Sequence, residues 1–348
     1  MRKSSILSAS LMSVLSLVLL CTFSFSSFAA SGKVIQWKLQ AHTATGDVLK
    51  AAEHFAEAVD KMSAGRLKIK VLPAGTLVPS SDAFNAVSKG AMEMTQNWGG
   101  YWIGWMPEAK VEGRIPSDLT TDEYRHILYD RGALELFRKA YAKYNIMWFP
   151  ASAGSDTAVW STKPLTSLKD IKKAKIRAAG TDGIFWKKMG ASTVFMPMEE
   201  IYTALSLKTV DGVATSLGHF YNYKHYEICK YVTLPSFACG TLGYLINMDK
   251  WNELPADLKA IVTYAARENF WENSFKGYLM DGGAQRNLAI GELKTKYRVK
   301  FVEWDNEVKA RMKEVSTEMM EEFAAGSPIS AELVKIIKGY LRDAGRLK

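Results

Sequence analysis

The stretch VIQWKLQAHTATGDVLKAAEHFAEAVDKMSAGRLKIKVLPAG, residues 34–75, decides the fold class. Val34 to Leu39 alternates in character, and a period of two marks a strand with one buried face. Ala41 to Gly46 is a small, polar loop with cap-forming residues. Asp47 to Ser63 carries Val48, Ala52, Phe55, Val59 and Met62 at helical spacing, and Gly65 ends the helix. Leu67, Ile69 and Val71 alternate with Lys68 and Lys70, and Pro73 stops that second strand. Strand, helix and strand in one short run make a βαβ unit, which places the chain among α/β proteins.

The same alternation continues outward. Asp82 to Lys89 reads as a helix closed by Gly90, and Ala91 to Thr95 as a strand. Gln96 to Trp102 follows as a loop at the C-terminal end of that strand, where open α/β sheets bind ligands. Asn97, Trp98, Tyr101 and Trp102, with Gly99 and Gly100 between them, read either as one wall of a cleft or as core residues. Thr121 caps a long helix to about Lys143, and Ile146 to Phe149 is an apolar strand. Ala153-Gly154-Ser155 is a crossing point, and Val159-Trp160-Ser161 opens a second domain. Thr241 to Asn247 is another strand. A long helix runs from Pro255 to about Glu292, with Gly277, Gly282 and Gly283 as points of kinking or breakage. Val299 to Val302 is a late strand, and Glu307 to Phe323 and Ile329 to Leu341 are closing helices. The expected division is domain I over 31–153 with about 241–292, and domain II over 154–240 with about 293–348. No repeat, low-complexity tract or Pro-rich linker appears, which implies several short crossings between the domains.

Within the second domain, Ser167 to Gly212 carries the main chemical signal. Ser167 and Asp170 have the spacing of a capped turn. Ala174 to Ala178 reads as a strand, and Asp182 as the cap of a helix from about Ile184 to Met189 that stops at Gly190. A second helix, about Glu199 to Lys208, leads into Val210 to Val213. Arg177 thus stands where a strand ends and a helix begins. A guanidinium fork beside unpaired backbone N–H groups attracts a carboxylate or phosphate. A surface arginine in an ion pair is the plainer reading of the same residue.

The chain has 348 residues and a net charge of +9. Residues 1–30 read as a secretory signal peptide: Arg2 and Lys3, an apolar run from Ile6 to Phe25, then Ser27-Phe28-Ala29 as a cleavage pattern. Their removal takes away Arg2 and Lys3 and leaves +7. Such a mildly basic exported protein suits anionic solutes. It has no block of like charges of the kind that binds nucleic acid. The remaining length fits two domains. Cys229 and Cys239 read as a disulfide or as two buried thiols.

Motifs of catalysis are absent. There is no Gly-x-Ser-x-Gly, Walker loop, Gly-x-Gly-x-x-Gly, Cys-x-x-Cys or His-Glu-x-x-His. His219 and His225, six residues apart, fit neither one helical face nor a known metal-ligand spacing. Glu199 and Glu200 are neighbours on a helix and point to different sides. No enzyme, metal or cofactor is expected.

Four segments resemble the periplasmic solute-binding proteins of TRAP transporters, the tripartite ATP-independent importers of organic acids. They are Phe55 to Val59 with Ser63 to Gly75; Lys163-Pro164-Leu165 with Leu168 to Asp170 and Lys175 to Arg177; Glu200 to Leu205 with Val210 to Gly212; and the closing order of long helix, strand and helices. The resemblance implies a periplasmic-binding-protein-like fold, two α/β domains around a ligand cleft, with a long helix late in the chain. It implies that Arg177 holds a ligand carboxylate bidentately and that Ala214, Thr215 and Ser216 line the same cleft. An arginine common before the Lys-Pro pair in dicarboxylate binders is replaced here, where Ala158, Val159 and Trp160 stand. The expected ligand is therefore a monocarboxylate such as a 2-oxo, 2-hydroxy or aromatic acid. The expected partners are that acid and the TRAP permease, with no nucleic acid and no membrane insertion after signal cleavage. Arg177, Thr215 and Asn97 are the candidate polar ligand contacts. Trp98, Trp160, Tyr101, Trp186 and Phe220 are the candidate aromatic ones. Two other classes remain open at this point: an exported enzyme acting on a small acid, and a module that presents a ligand to a membrane sensor.

Overall fold

Two sheets organise the chain. The computed structural model describes residues 34–347, apart from 118, 155–156, 197, 237 and 277–283. The expected signal peptide and Gly277, Gly282 and Gly283 therefore lie outside the described residues. In chain order, β1 (Ile35–Gln40) and β2 (Leu67–Leu72) flank α1 (Asp47–Met62). Next come α2 (Ala83–Ser88), β3 (Met94–Trp98), α3 (Ala109–Gly113) and β4 (Ile115–Pro116). Then α4 (Thr121–Asp130) and α5 (Ala133–Ala142) lead to β5 (Ile146–Gly154). The next segment holds β6 (Ala158–Ser161), α6 (Leu168–Lys173), β7 (Lys175–Arg177), α7 (Gly180–Lys188) and β8 (Ser192–Val194). It continues through α8 (Ile201–Ser206), β9 (Gly212–Thr215), α9 (Leu217–Asn222) and β10 (Tyr231–Leu234). The remainder is β11 (Ala238–Asn247), α10 (Met248–Glu253), α11 (Ala256–Lys276), α12 (Ala284–Thr295), β12 (Lys300–Glu303), α13 (Asn306–Ala324) and α14 (Pro328–Asp343).

The first sheet has the order β2-β1-β3-β11-β4, with β5 on β11, and the second has β12-β10-β6-β9-β7-β8. The opening βαβ unit forms as its pattern requires: β1 pairs parallel to β2 with Ile35 opposite Leu67. Phe55 and Val59 of α1 are wholly buried, and the Phe55 ring stacks on Tyr244 at 4.4 Å. Each such side chain contributes roughly 1.5–3 kcal/mol by leaving water. Met62, expected on the same face, is 49% exposed because it lies at the helix end. A second cluster joins Trp102, Tyr141 and Trp148 to Met319 and Leu333 of the closing helices. Those helices pack on β4, α4, α5 and α7. A third cluster, with Trp160, Val213 and Phe220, sits on the second sheet. Among the described residues, no helix is long and apolar enough to cross a membrane.

Several local expectations change. The helix over 121–143 is two helices, broken at Gly132, whose φ of 87° is left-handed and suits a residue without Cβ. Its cap is Thr120, which forms a capping box with Glu123. Ser167 and Asp170 do form a capping box. Asp182 is not a cap: α7 already begins at Gly180, so Asp182 lies inside the first turn. Gln96 to Trp98 belong to β3, held by an antiparallel ladder to β11, with only Gly99–Tyr101 forming a tight turn beyond it. The helix over 199–208 shortens to α8 after a turn at Met198–Glu200. Cys229 and Cys239 are both buried thiols, so the disulfide alternative falls away.

Candidate functional site

A cavity of about 100 Å³ lies between the two sheets. A water takes roughly 10–15 Å³ by the same measure, so the space suits a small organic molecule. The first sheet contributes His42 just after β1, Gln96 and Trp98 on β3, and Thr241 on β11. The second contributes Arg177 on β7, Asp182 on α7, Thr215 on β9 and His219 on α9. Parallel strands β1, β3, β7 and β9 all present their C-terminal ends to it, as open α/β sheets do with their ligands.

Arg177 is 3% exposed. Its strand is held on both sides, by β8 and by β9, which fixes the backbone under the side chain. Nε and Nη2 donate to the Met196 carbonyl at 3.2 and 2.8 Å, which fixes the guanidinium plane as well. A second guanidinium, that of Arg114, comes from the turn between α3 and β4. It lies over the Trp98 ring at 5.4 Å, and its Nε stands 3.2 Å from Asp182 Oδ2. The indole is itself anchored, donating from Nε1 to the Gly113 carbonyl at 2.7 Å. Burial pushes the Asp182 carboxyl up to about 6, against the pull of Arg114 and Arg177.

The two cavity histidines, His42 and His219, are neutral. Burial takes His42 down to about 4, and the nearby guanidiniums push the same way. Asn97 Oδ1 lies 3.0 Å from His42 Nδ1 and can only accept, so that nitrogen carries the proton. Burial also holds His219 well below the usual histidine range, and its ring lies 5.8 Å from that of His42. The strong positive charge on the cavity is therefore two guanidiniums, one already facing a carboxylate. Asp47, half-buried at the rim, is held above the usual carboxylate range by burial. Both guanidiniums bring positive charge to the cavity wall, and such charge attracts an anion.

The two walls come into contact. A Cβ on Gly180, whose φ is 53°, would stand 2.8 Å from the Gly100 Cα and carbonyl oxygen. One on Gly46 would collide with Asn222. Tyr101 and Phe195 meet edge to face at 6.2 Å.

Of the expected contacts, Arg177, Trp98, Tyr101 and Thr215 line the cavity. Four others do not. Trp160 and Phe220 stack on each other at 3.8 Å inside the second sheet's core. Trp186 packs against Trp304 at 5.4 Å in another core cluster. Asn97 turns away because strand side chains alternate: Gln96 and Trp98 face the cavity, while the Asn97 amide bonds the Ser80 carbonyl. Sequence reasoning missed His42, Arg114 and His219 and gave Asp182 another role. The polar loop after β1 and the first turn after β7 were the available signals. Nothing local marks Arg114. His219 and His225 do not converge on one site; His219 meets His42 instead.

The profile of the bacterial extracellular solute-binding proteins, family 7, matches residues 40–326. A monocarboxylate 2-oxoacid-binding periplasmic protein of Nostoc sp. is 29% identical over 279 residues, 79% of this chain and 75% of the relative. A TRAP periplasmic solute-binding protein from Pseudoalteromonas atlantica, solved with sodium and pyruvate, superposes with a TM-score of 0.79 at 25% identity. That match covers 90% of this chain and 95% of the other. One from Colwellia psychrerythraea, solved with calcium and pyruvate, gives 0.77 at 26% identity over the same shares. Asp182 is tied to Arg114, Asp47 stands at the rim, and among the described residues no three carboxylate, histidine or cysteine side chains converge. With its profile, its paired sheets and the cavity between them in agreement, the chain belongs to the bacterial extracellular solute-binding proteins of family 7.

Proposed function

We propose that this chain captures a small monocarboxylate, a 2-oxo or 2-hydroxy acid foremost, in the periplasm and hands it to a TRAP permease in the membrane. The observation that carries the reading is Arg177: a buried guanidinium, fixed by a backbone carbonyl, on the wall of a cavity between two sheets. The ligand carboxylate pairs with that fork. The Thr215 hydroxyl and neutral His219 offer donors to a keto or hydroxyl oxygen beside it, and His42, whose proton is on Nδ1, offers Nε2 as an acceptor for a ligand hydroxyl. Trp98 and Tyr101 cover the carbon skeleton. Closure of the walls removes water, which strengthens each charge-assisted bond. The closed form is the one a permease distinguishes, because the ligand makes more contacts in it. The Nostoc relative's name and the pyruvate in the two superposed structures support an acid of this size.

Mass spectrometry of ligand carried through purification, followed by calorimetric titration of a panel of organic acids, tests the reading. Arg177→Ala is expected to weaken the best acid by about tenfold to a hundredfold, the range for a lost bond to a charged group. Equal affinity in wild type and variant would remove the anchor and the reading with it.

A further inference from the structure

Asp182 is an acid on the wall of a site built for acids. It is 3% exposed, and its Oδ1 has no hydrogen-bond partner among the described residues. Its Oδ2 faces Arg114, which reaches it from the opposite wall and lies over the Trp98 ring. Arg114, Arg177 and Asp182 all line the one cavity. The Arg114 guanidinium, 3.2 Å from Asp182 through Nε, already faces a carboxylate that the protein supplies. A ligand's second carboxylate would find its natural place there taken.

We propose that Asp182 sets the charge of the ligand: it occupies Arg114 as a built-in second carboxylate, so the site accepts an acid with one carboxylate and turns away an acid with two. This rests on Arg177 being the anchor for the first. The physics is like-charge repulsion out of water. A second ligand carboxylate near Arg114 brings two anions together where screening is weak. Removing the Asp182 charge leaves Arg114, whose side chain is only 16% exposed, without its carboxylate, which a dianionic ligand would replace. Neither residue was marked by a motif; the pair exists only because the cavity brings both walls together.

The experiment compares pyruvate with malonate, equal in carbon number but different in carboxylate count, by isothermal calorimetry on the dialysed protein. Wild type is expected to prefer pyruvate. Asp182→Asn is expected to shift the ratio of the two dissociation constants toward malonate by about tenfold or more. Adding Arg114→Gln to that variant should return the ratio toward the wild-type value. Asp182→Ser serves if circular dichroism shows Asp182→Asn unfolded. An unchanged ratio in the folded variant, with pyruvate still bound, overturns the role of Asp182 and leaves Arg177 standing. Wild type preferring malonate overturns it equally. Absence of binding by either acid, with Arg177→Ala indistinguishable from wild type, brings down the anchor and this inference together.

Discussion

At the scale of single residues, the protein holds acids and bases away from their usual protonation by burying them. Glu112 on α3 is fully buried and accepts from the Tyr141 hydroxyl at 2.8 Å, which in turn accepts from Trp102 Nε1 at 3.1 Å. Burial pushes its carboxyl from 4.5 up to about 8. The fold thus binds this proton more tightly than the unfolded chain does. Stability is full below 4.5 and is lost as pH rises through 8. His42 acts in the opposite sense and lower down: its folded value of about 4 lies under 6.5, so its contribution is present above 6.5 and lost as pH falls toward 4. Asp182, raised to about 6, titrates below the same limit. Between pH 6.5 and 8 the melting temperature should therefore fall with rising pH, and Glu112→Gln should flatten that slope in a thermal scan. A variant as steep as wild type would trace the slope to another group. At the cavity, Arg177→Lys keeps the charge but loses the planar fork, and should weaken a bound carboxylate by about tenfold in titration.

At the scale of elements, packing and backbone geometry separate cleanly. Phe55→Ala removes a ring stacked on Tyr244 in a fully buried position and should cost about 3–5 kcal/mol in denaturant unfolding. Gly132→Ala adds a Cβ with nothing within 4 Å, so its cost is the left-handed backbone alone, about 1–2 kcal/mol. Residues 34–75 were legible because their alternation changes period from 2 to helical and back. The break at Gly132 was not, because the residues on both sides continue one helical pattern and glycine is tolerated inside helices. Arg177 was legible as the end of a strand before a helix. The remaining polar wall came from residues far apart in sequence: His42, Arg114, Asp182 and His219 share no local pattern. Trp160 and Trp98 look alike in sequence, each near a strand end. Which face each uses depends on the sheet's partners, and that placed Trp160 against Phe220.

At the scale of the molecule, the two sheets meet through backbone as well as side chains. Gly180 approaches Gly100 so closely that a Cβ would stand 2.8 Å from its carbonyl oxygen. Gly180→Ala is therefore expected to hold the walls apart, raise the radius of gyration of the pyruvate-saturated protein in small-angle scattering, and weaken pyruvate by about tenfold. Gly132→Ala, far from the cavity walls, is the control that should change neither. A variant at Gly180 that binds as wild type would show that this contact does not govern closure. The pairing of two glycines also has a historical consequence. Side chains on the cavity wall can be exchanged without touching that contact. The bare spot where Gly180 rests on the main chain of Gly100 leaves no room for a side chain at position 180. New diets would then be reached by redecorating an aperture of fixed dimensions, with its rim inherited unchanged.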